Sequence, residues 1–274
     1  VSGQADMYHA ADYYYVGQHP AFGFFTAVPF GMNVVELNTW YYHQGGHELH
    51  LELGEEFGLV SFLAGNTGAQ GGGWFNKKIN SPEDFQGLKF RMPGLGGAAL
   101  GKLGASVQAI PGSEVYQALA SGTIDGTEWI GPWADEKAGF YEITKLYYSS
   151  GFHEPGSGLA LGINADRWNS LKPEHQKIIE VAAGEANLWN HGQYLANNGE
   201  ALKRLVDKGV EILEFNDAVW NAFGEASNAI MEEHMDDPMF KKTFESVRAG
   251  IKSTSAWWSV AEGAYTSQRN RILG

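Results

Sequence analysis

The chain has 274 residues, 43% hydrophobic and 13% aromatic, enough to bury a large core and to form two lobes, and far from the composition of a disordered polymer. Its 32 acidic against 19 basic residues give a net charge of −13, which argues against a nucleic-acid or anionic-membrane surface. The absence of cysteine excludes thiol catalysis, disulfides and Cys-ligated zinc, and it suits the cytoplasm and the periplasm equally.

The opening Val1-Ser-Gly-Gln-Ala-Asp-Met-Tyr-His9 reads as the middle of a domain: a helix end, a Gly turn, then a strand. Further residues are therefore expected upstream. The first half of the chain then alternates short strands with short helices. Strands are predicted at Gly58–Ala64, Leu88–Met92, Val107–Ile110, Leu146–Ser149 and Leu159–Asn164, with helical stretches at Ala98–Leu103 and Ser113–Ser121. Ser81-Pro82-Glu83-Asp84 has an N-cap followed by Pro at the first helical position, a short-helix start. Such alternation implies an α/β architecture with mixed sheets.

The second half changes character. A turn is predicted at Asp166–Trp168, followed by a helix from Pro173 to about Val206 carrying Ile178, Ile179, Ala182, Ala186, Trp189 and Leu195 at helical spacing. A helix of that length is long enough to back two lobes at once. A strand at Val210–Phe215 and two further helical segments, parted by Asp236-Asp237-Pro238, complete the chain.

Several clusters could carry chemistry. Gly126-Thr-Glu-Trp-Ile-Gly-Pro-Trp133 sets Glu128 beside Trp129 in a segment that Gly131 and Pro132 should keep from being helical. That pattern suits a ligand cleft, because an ionised carboxylate is costly to bury without a partner; the alternative is a half-exposed loop anchored by one Trp. Arg91 ends a strand, where open α/β sheets bind ligands, and could clamp a carboxylate or simply pair with a local acid. Glu154 in Gly151-Phe-His-Glu-Pro-Gly156 supplies a second carboxylate at a strand end. Paired with Glu128 it calls for a cation or a shared proton, and hard oxygen ligands favour calcium, or sodium at lower charge, over zinc.

Gln70-Gly-Gly-Gly73 lacks the Lys-Ser/Thr of a phosphate-binding loop and reads as a lobe-to-lobe crossover with Gln70 facing the cleft; Gly94-Leu-Gly-Gly97 lacks dinucleotide spacing. His43, His47 and His50 suggest zinc, but Gly45-Gly46 weakens the helix that would align them, and surface histidines at a helix start are the expectation. No Gly-x-Ser-x-Gly nucleophile motif occurs.

Taken together, Ala11–Gly17, Ala64–Phe75, Leu88–Gly94, Ile110–Leu119, Asp125–Trp133 and Gly151–Pro155 resemble, in order, the DctP-type extracytoplasmic solute receptors of tripartite ATP-independent periplasmic (TRAP) transporters. The likeness is to the branch that takes 2-oxo and 2-hydroxy monocarboxylates with a metal ion. It implies a two-lobe periplasmic-binding-protein-like fold with mixed sheets, a long lobe-spanning helix and C-terminal helices. Lobe I would comprise residues 1–70 and 151–185, short of an N-terminal unit. Lobe II would comprise 71–150 and 205–230, with a spanning helix at 173–206 and a dimerising region at 231–274.

The resemblance further implies no enzymatic activity, a periplasmic location, a small organic acid as ligand, TRAP membrane subunits as partners and a homodimer. Arg91 would hold the ligand carboxylate, with Gln70, Trp129 and either Tyr13 or Tyr14 in the ligand site. Glu128, the Trp129 carbonyl, Glu154 and Gln70 would hold calcium or sodium. The two carboxylates favour calcium. The rival readings are a metal-dependent hydrolase built on Glu128 and Glu154, and a shortened receptor unable to bind ligand. The dimer expectation rests on Phe240, Phe244, Val247, Ile251, Trp257, Trp258 and Tyr265, which one chain could alternatively cover by itself.

Overall fold

The computed structural model describes residues 5–273; the helix end and Gly turn expected over residues 1–4 lie outside them. In chain order the elements are β1 Met7–Ala10, two 3-10 turns (Asp12–Tyr15 and Pro20–Phe25), α1 Val34–His43, α2 Gly46–Glu56, β2 Leu59–Asn66 and β3 Gly73–Phe75. After a 3-10 turn at Pro82–Phe85 come β4 Lys89–Arg91, α3 Gly94–Lys102, β5 Ser106–Gln108, α4 Gly112–Ala120, β6 Gly126–Thr127, α5 Pro132–Ala138, β7 Leu146–Tyr148 and β8 Gly158–Asn164. The rest is helical apart from β9 Glu211–Leu213: α6 Ala165–Ser170, α7 Pro173–Asp207, α8 Asp217–Glu232, α9 Pro238–Trp258 and α10 Glu262–Leu273.

Two sheets organise two lobes. The first has order β1-β8-β2 and is antiparallel; the second has order β5-β4-β6-β3-β7-β9 and is mixed. The chain passes between them through residues 67–72, from β2 to β3, and returns through residues 149–157, from β7 to β8. The glycine run in the first passage is there for clearance. A Cβ on Gly71 would lie 2.1 Å from the Tyr147 hydroxyl, and one on Gly72 would lie 2.6 Å from the Phe215 ring.

The long helix α7 has 35 residues, a span of about 52 Å. It packs on β2 of the first lobe and on α5 of the second. Its periodicity predicts the helix but not the seam. Ile178, Trp189 and Leu195 are 64–65% exposed, while the buried positions are Ala183, Asn187, Ala201 and Leu205. Small and amide side chains win there because the helix runs close over the end of β2 and the first turn of α5, whose free backbone amides need hydrogen-bond acceptors. Asn190 accepts from the Asn66 amide at 3.0 Å, and Asn198 accepts from the Trp133 amide at 3.1 Å.

Three other expectations change. Asp166–Trp168 is not a turn but part of α6, capped by Asn164, whose side chain accepts from the Arg167 amide at 3.1 Å. The segment with Glu128 and Trp129 is non-helical through Gly131 as expected, but Pro132 itself is the first residue of α5, where its missing N–H costs nothing. The apolar set in the C-terminal region divides in two. Phe240 and Val247 are buried, Phe244 and Ile251 pack against the same core, and Phe24 meets Phe240 at 4.9 Å, so this face of α9 fills the first lobe. Trp257 and Tyr265 remain 68% and 66% exposed, and α10 buries no residue.

Candidate functional site

The parallel pairing of β4 with β6 puts Arg91 opposite Thr127, so Arg91 and Glu128 emerge side by side where the two strands end. Arg91 is 2% exposed and Glu128 is fully buried. The guanidinium donates through Nη1 to Glu128 Oε1, through Nε to the Ile110 carbonyl at 3.2 Å, and through Nη2 to the Tyr14 hydroxyl at 3.3 Å. Its carbon lies 5.5 Å from the Trp129 ring centre. Arg91 is thus paired with a local acid, one of the two sequence alternatives, and it also borders a cavity. The half-exposed-loop alternative for Glu128 does not survive its burial.

That cavity, of about 170 Å³, lies between the lobes. It is smaller than the roughly 300–1,000 Å³ usual for drug-sized ligands. Tyr13, Tyr14 and Thr26 line it from the first lobe, and Arg91, Trp129 and Ile130 from the second. Gln70, Glu154 and Ser157 come from the two passages between lobes, Leu159 from β8 and Tyr194 from α7. Both candidate tyrosines thus border it, Tyr13 buried and Tyr14 54% exposed. The two passages are laced together: the Gln70 amide donates to the Glu154 carbonyl at 2.9 Å, and the Gly151 amide to the Gln70 carbonyl at 3.2 Å. Gln70 Nε2 donates to Thr67 and Ser157 hydroxyls, both at 3.2 Å.

The electrostatics point to a cation. Glu154 accepts from the Ser157 hydroxyl, yet burial, and after it the nearby Glu128 charge, push its carboxyl up to about 7. One donor set among the described residues could hold a metal ion with three side chains: Glu128, His153 and Glu154, whose ligand atoms all lie within 4.8 Å of one another. Gln70 Oε1, Glu128 Oε2 and both His153 ring nitrogens are buried without a hydrogen-bond partner. A buried polar atom without a partner is costly, and an ion here would satisfy the two oxygens and one of the ring nitrogens. The residues fit an oxygen-coordinated cation.

Sequence reasoning missed two residues here. His153 could have been found as the imidazole adjoining Glu154. Asp135 could not, since it acts on backbone. Fully enclosed, it accepts from Trp74 Nε1 at 2.8 Å, the Ile130 amide at 3.1 Å and the Gly131 amide at 2.8 Å, fixing the chain just after Trp129. Burial pushes its carboxyl up to about 7 against the pull of those three donors.

The histidine trio does not assemble. His43 ends α1 and is exposed, whereas His50, expected at the surface, is buried with Nε2 2.7 Å from Asp12 and Nδ1 3.1 Å from the Tyr41 hydroxyl. The reason is the hydrogen bond to Asp12, which is itself fully buried and needs partners.

The chain is similar to known proteins along most of its length. The model of the DctP family, bacterial extracellular solute-binding protein family 7, matches residues 1–237. A monocarboxylate 2-oxoacid-binding periplasmic protein of Nostoc sp. is 42% identical over 265 residues, 96% of this chain and 73% of the relative. Among solved structures, a TRAP transporter solute-binding protein of Bordetella bronchiseptica superposes with a TM-score of 0.97 at 34% identity, over 99% of this chain and 81% of that one. It is a mixed-occupancy dimer with copurified calcium and picolinate in one active site, against an apo site. One from Pseudoalteromonas atlantica, with bound sodium and pyruvate, gives 0.93 at 40% identity, over 97% and 82% of the two chains.

Proposed function

The chain belongs to the bacterial extracellular solute-binding proteins of family 7, and from that premise we propose that it captures a small 2-oxo or 2-hydroxy monocarboxylate, together with a cation, between its lobes. This is a receptor's task and not an enzyme's, which sets the hydrolase alternative aside. Arg91 clamps the carboxylate. Trp129 and the Tyr13–Tyr14 pair wall the pocket, and Gln70 lies near both ligand and ion. Glu128, the Trp129 carbonyl, Glu154 and Gln70 hold calcium or sodium; two carboxylates favour the doubly charged ion.

The observation that carries the reading is one small interlobe cavity lined by the buried Arg91 guanidinium and the buried Glu154 carboxylate, with the Glu128 carboxylate buried beside both. The guanidinium suits an anionic head group, and the carboxylates suit a cation that also takes the neighbouring oxo or hydroxyl oxygen. Pyruvate, bound in the Pseudoalteromonas atlantica relative, is such a 2-oxo acid; picolinate, bound in the Bordetella bronchiseptica relative, sets a ring nitrogen where pyruvate has its oxo oxygen.

The receptor would work in the periplasm, handing its ligand to TRAP membrane subunits, and as a homodimer. Its lobes would comprise residues 1–70 with 151–185 and residues 71–150 with 205–230, backed by the spanning helix at 173–206. The C-terminal region at 231–274 would serve dimerisation. Titration calorimetry with pyruvate and lactate, before and after chelation, tests the core of this. Binding that disappears with the chelator and returns with calcium is expected; heats unaffected by chelation would refute the cation's role.

A further inference from the structure

His153 takes no part in the reading above, yet its ring faces the carboxylate pair. It is 2% exposed, and neither ring nitrogen has a hydrogen-bond partner. Nε2 stands 3.6 Å from Glu128 Oε2. That is beyond the about 2.7–3.2 Å of a hydrogen bond. It is close to the separation, about 3.4 Å, of two ligands sharing one tetrahedral ion at about 2.1 Å each. The ring cannot back away. A Cβ on Gly96 would lie 2.7 Å from His153 Cβ, and one on Gly151 would lie 2.5 Å from Cε1, so two backbones close on it from α3 and from the passage between lobes. Burying an imidazole with both nitrogens idle is costly, and a ring pressed toward a carboxylate at ligand spacing has one evident use.

We propose that His153 is a nitrogen ligand of the cation site, and that it lets the site take a first-row transition divalent ion such as zinc or cobalt as well as calcium. Carboxylate and carbonyl oxygens suit calcium, but imidazole suits zinc, nickel and cobalt. Two carboxylates with one imidazole is a donor set for the second group of ions, and of the three donors Glu154 also borders the cavity. The inference rests on the reading that Glu128 and Glu154 hold a cation, and adds to it a ligand and a second class of ion.

The test uses chelated, dialysed full-length chain and metal alone. Zinc and calcium affinities are measured by calorimetry on the unaltered protein, on His153→Gln and on Glu154→Gln, and cobalt(II) binding is followed by its visible absorption. The expected result is one zinc displaceable by calcium, a loss of about tenfold or more in zinc affinity in His153→Gln, and calcium affinity changed much less. Zinc affinity equal in the two proteins, or a cobalt spectrum unaltered by the substitution, overturns the proposal. Calcium affinity indifferent to Glu154→Gln overturns the underlying reading instead, so the two failures are told apart. Should His153→Gln not fold, the ring nitrogen resonances of His153 in the unaltered protein decide: a zinc-induced shift of Nε2 supports the proposal, and its absence refutes it.

Discussion

Arg91 and Glu128 leave neighbouring parallel strands at the same level and pair with each other inside the protein, both at most 2% exposed. A buried pair of this kind is dear to break, because removing one member strands the other charge. Arg91→Ala should therefore cost about 3–5 kcal/mol of stability, while Arg91→Lys keeps the charge and costs less. In the lysine variant the planar fork is lost, so affinity for pyruvate should fall by on the order of 2 kcal/mol with the fold intact. Urea denaturation and calorimetry separate the two effects. An unchanged affinity would remove Arg91 from the ligand site.

The cation prediction concerns Glu154, whose carboxyl is pushed up to about 7 by burial and then by the Glu128 charge. A doubly charged ion between the two carboxylates would relieve that penalty. Glu154→Gln halves the charge offered, so calcium affinity should drop by about tenfold or more, with sodium affected less. Acid binding should weaken in step, and added calcium at high concentration should restore it. A variant that binds calcium and acid as the unaltered protein does would end the assignment.

How much of this could be read beforehand follows from what each residue does. Arg91, Glu128, Glu154 and Gln70 stand at strand ends or in glycine-flanked passages, positions that local sequence marks. That Gln70, Arg91 and Glu154 border one cavity, with Glu128 beside them, was legible only through the family's likeness, since nothing in spacing says that residue 70 lies beside residue 154. The buried seam of α7 was misjudged because the periodic apolar residues, Ile178 and Trp189 among them, point outward, while asparagines serve the backbone amides at the end of β2 and the start of α5. Asp135 was invisible for the same reason: its partners are two amides and an indole N–H, which leave no pattern in the sequence.

Asp135 also sets a pH dependence. Its folded-state carboxyl sits near 7 against an ordinary 3.8, so between those values the folded protein holds a proton that the unfolded chain releases. Stability should therefore fall as pH rises from about 4 toward about 7, and this contribution should level off above. Asp135→Asn should flatten that part of the profile. Because one of its three donors then faces an amide N–H₂, the variant should also lose about 1–3 kcal/mol at low pH. Urea midpoints measured across this range test it: a slope unchanged by the substitution would assign the effect to another group.

The remaining prediction concerns the C-terminal helices. With Phe240 and Val247 spent on the first lobe, the association surface must come from what stays outside: Trp257, Val260, Tyr265, Ile272 and Leu273, each at least 66% exposed. These lie on the end of α9, in the turn after it and on α10, a helix with no buried residue of its own. An isolated 12-residue helix is marginal in water, so α10 needs a surface to pack against. A twofold pair supplies one, each copy covering the other's helix. The Bordetella bronchiseptica relative is itself a dimer. Light scattering at micromolar concentration should report twice the chain mass for the full protein. Trp257→Ser with Tyr265→Ser should shift it to the single mass while pyruvate binding persists. A full-length chain that scatters as a monomer would rule out the dimer, and a dimer indifferent to both substitutions would place its interface elsewhere.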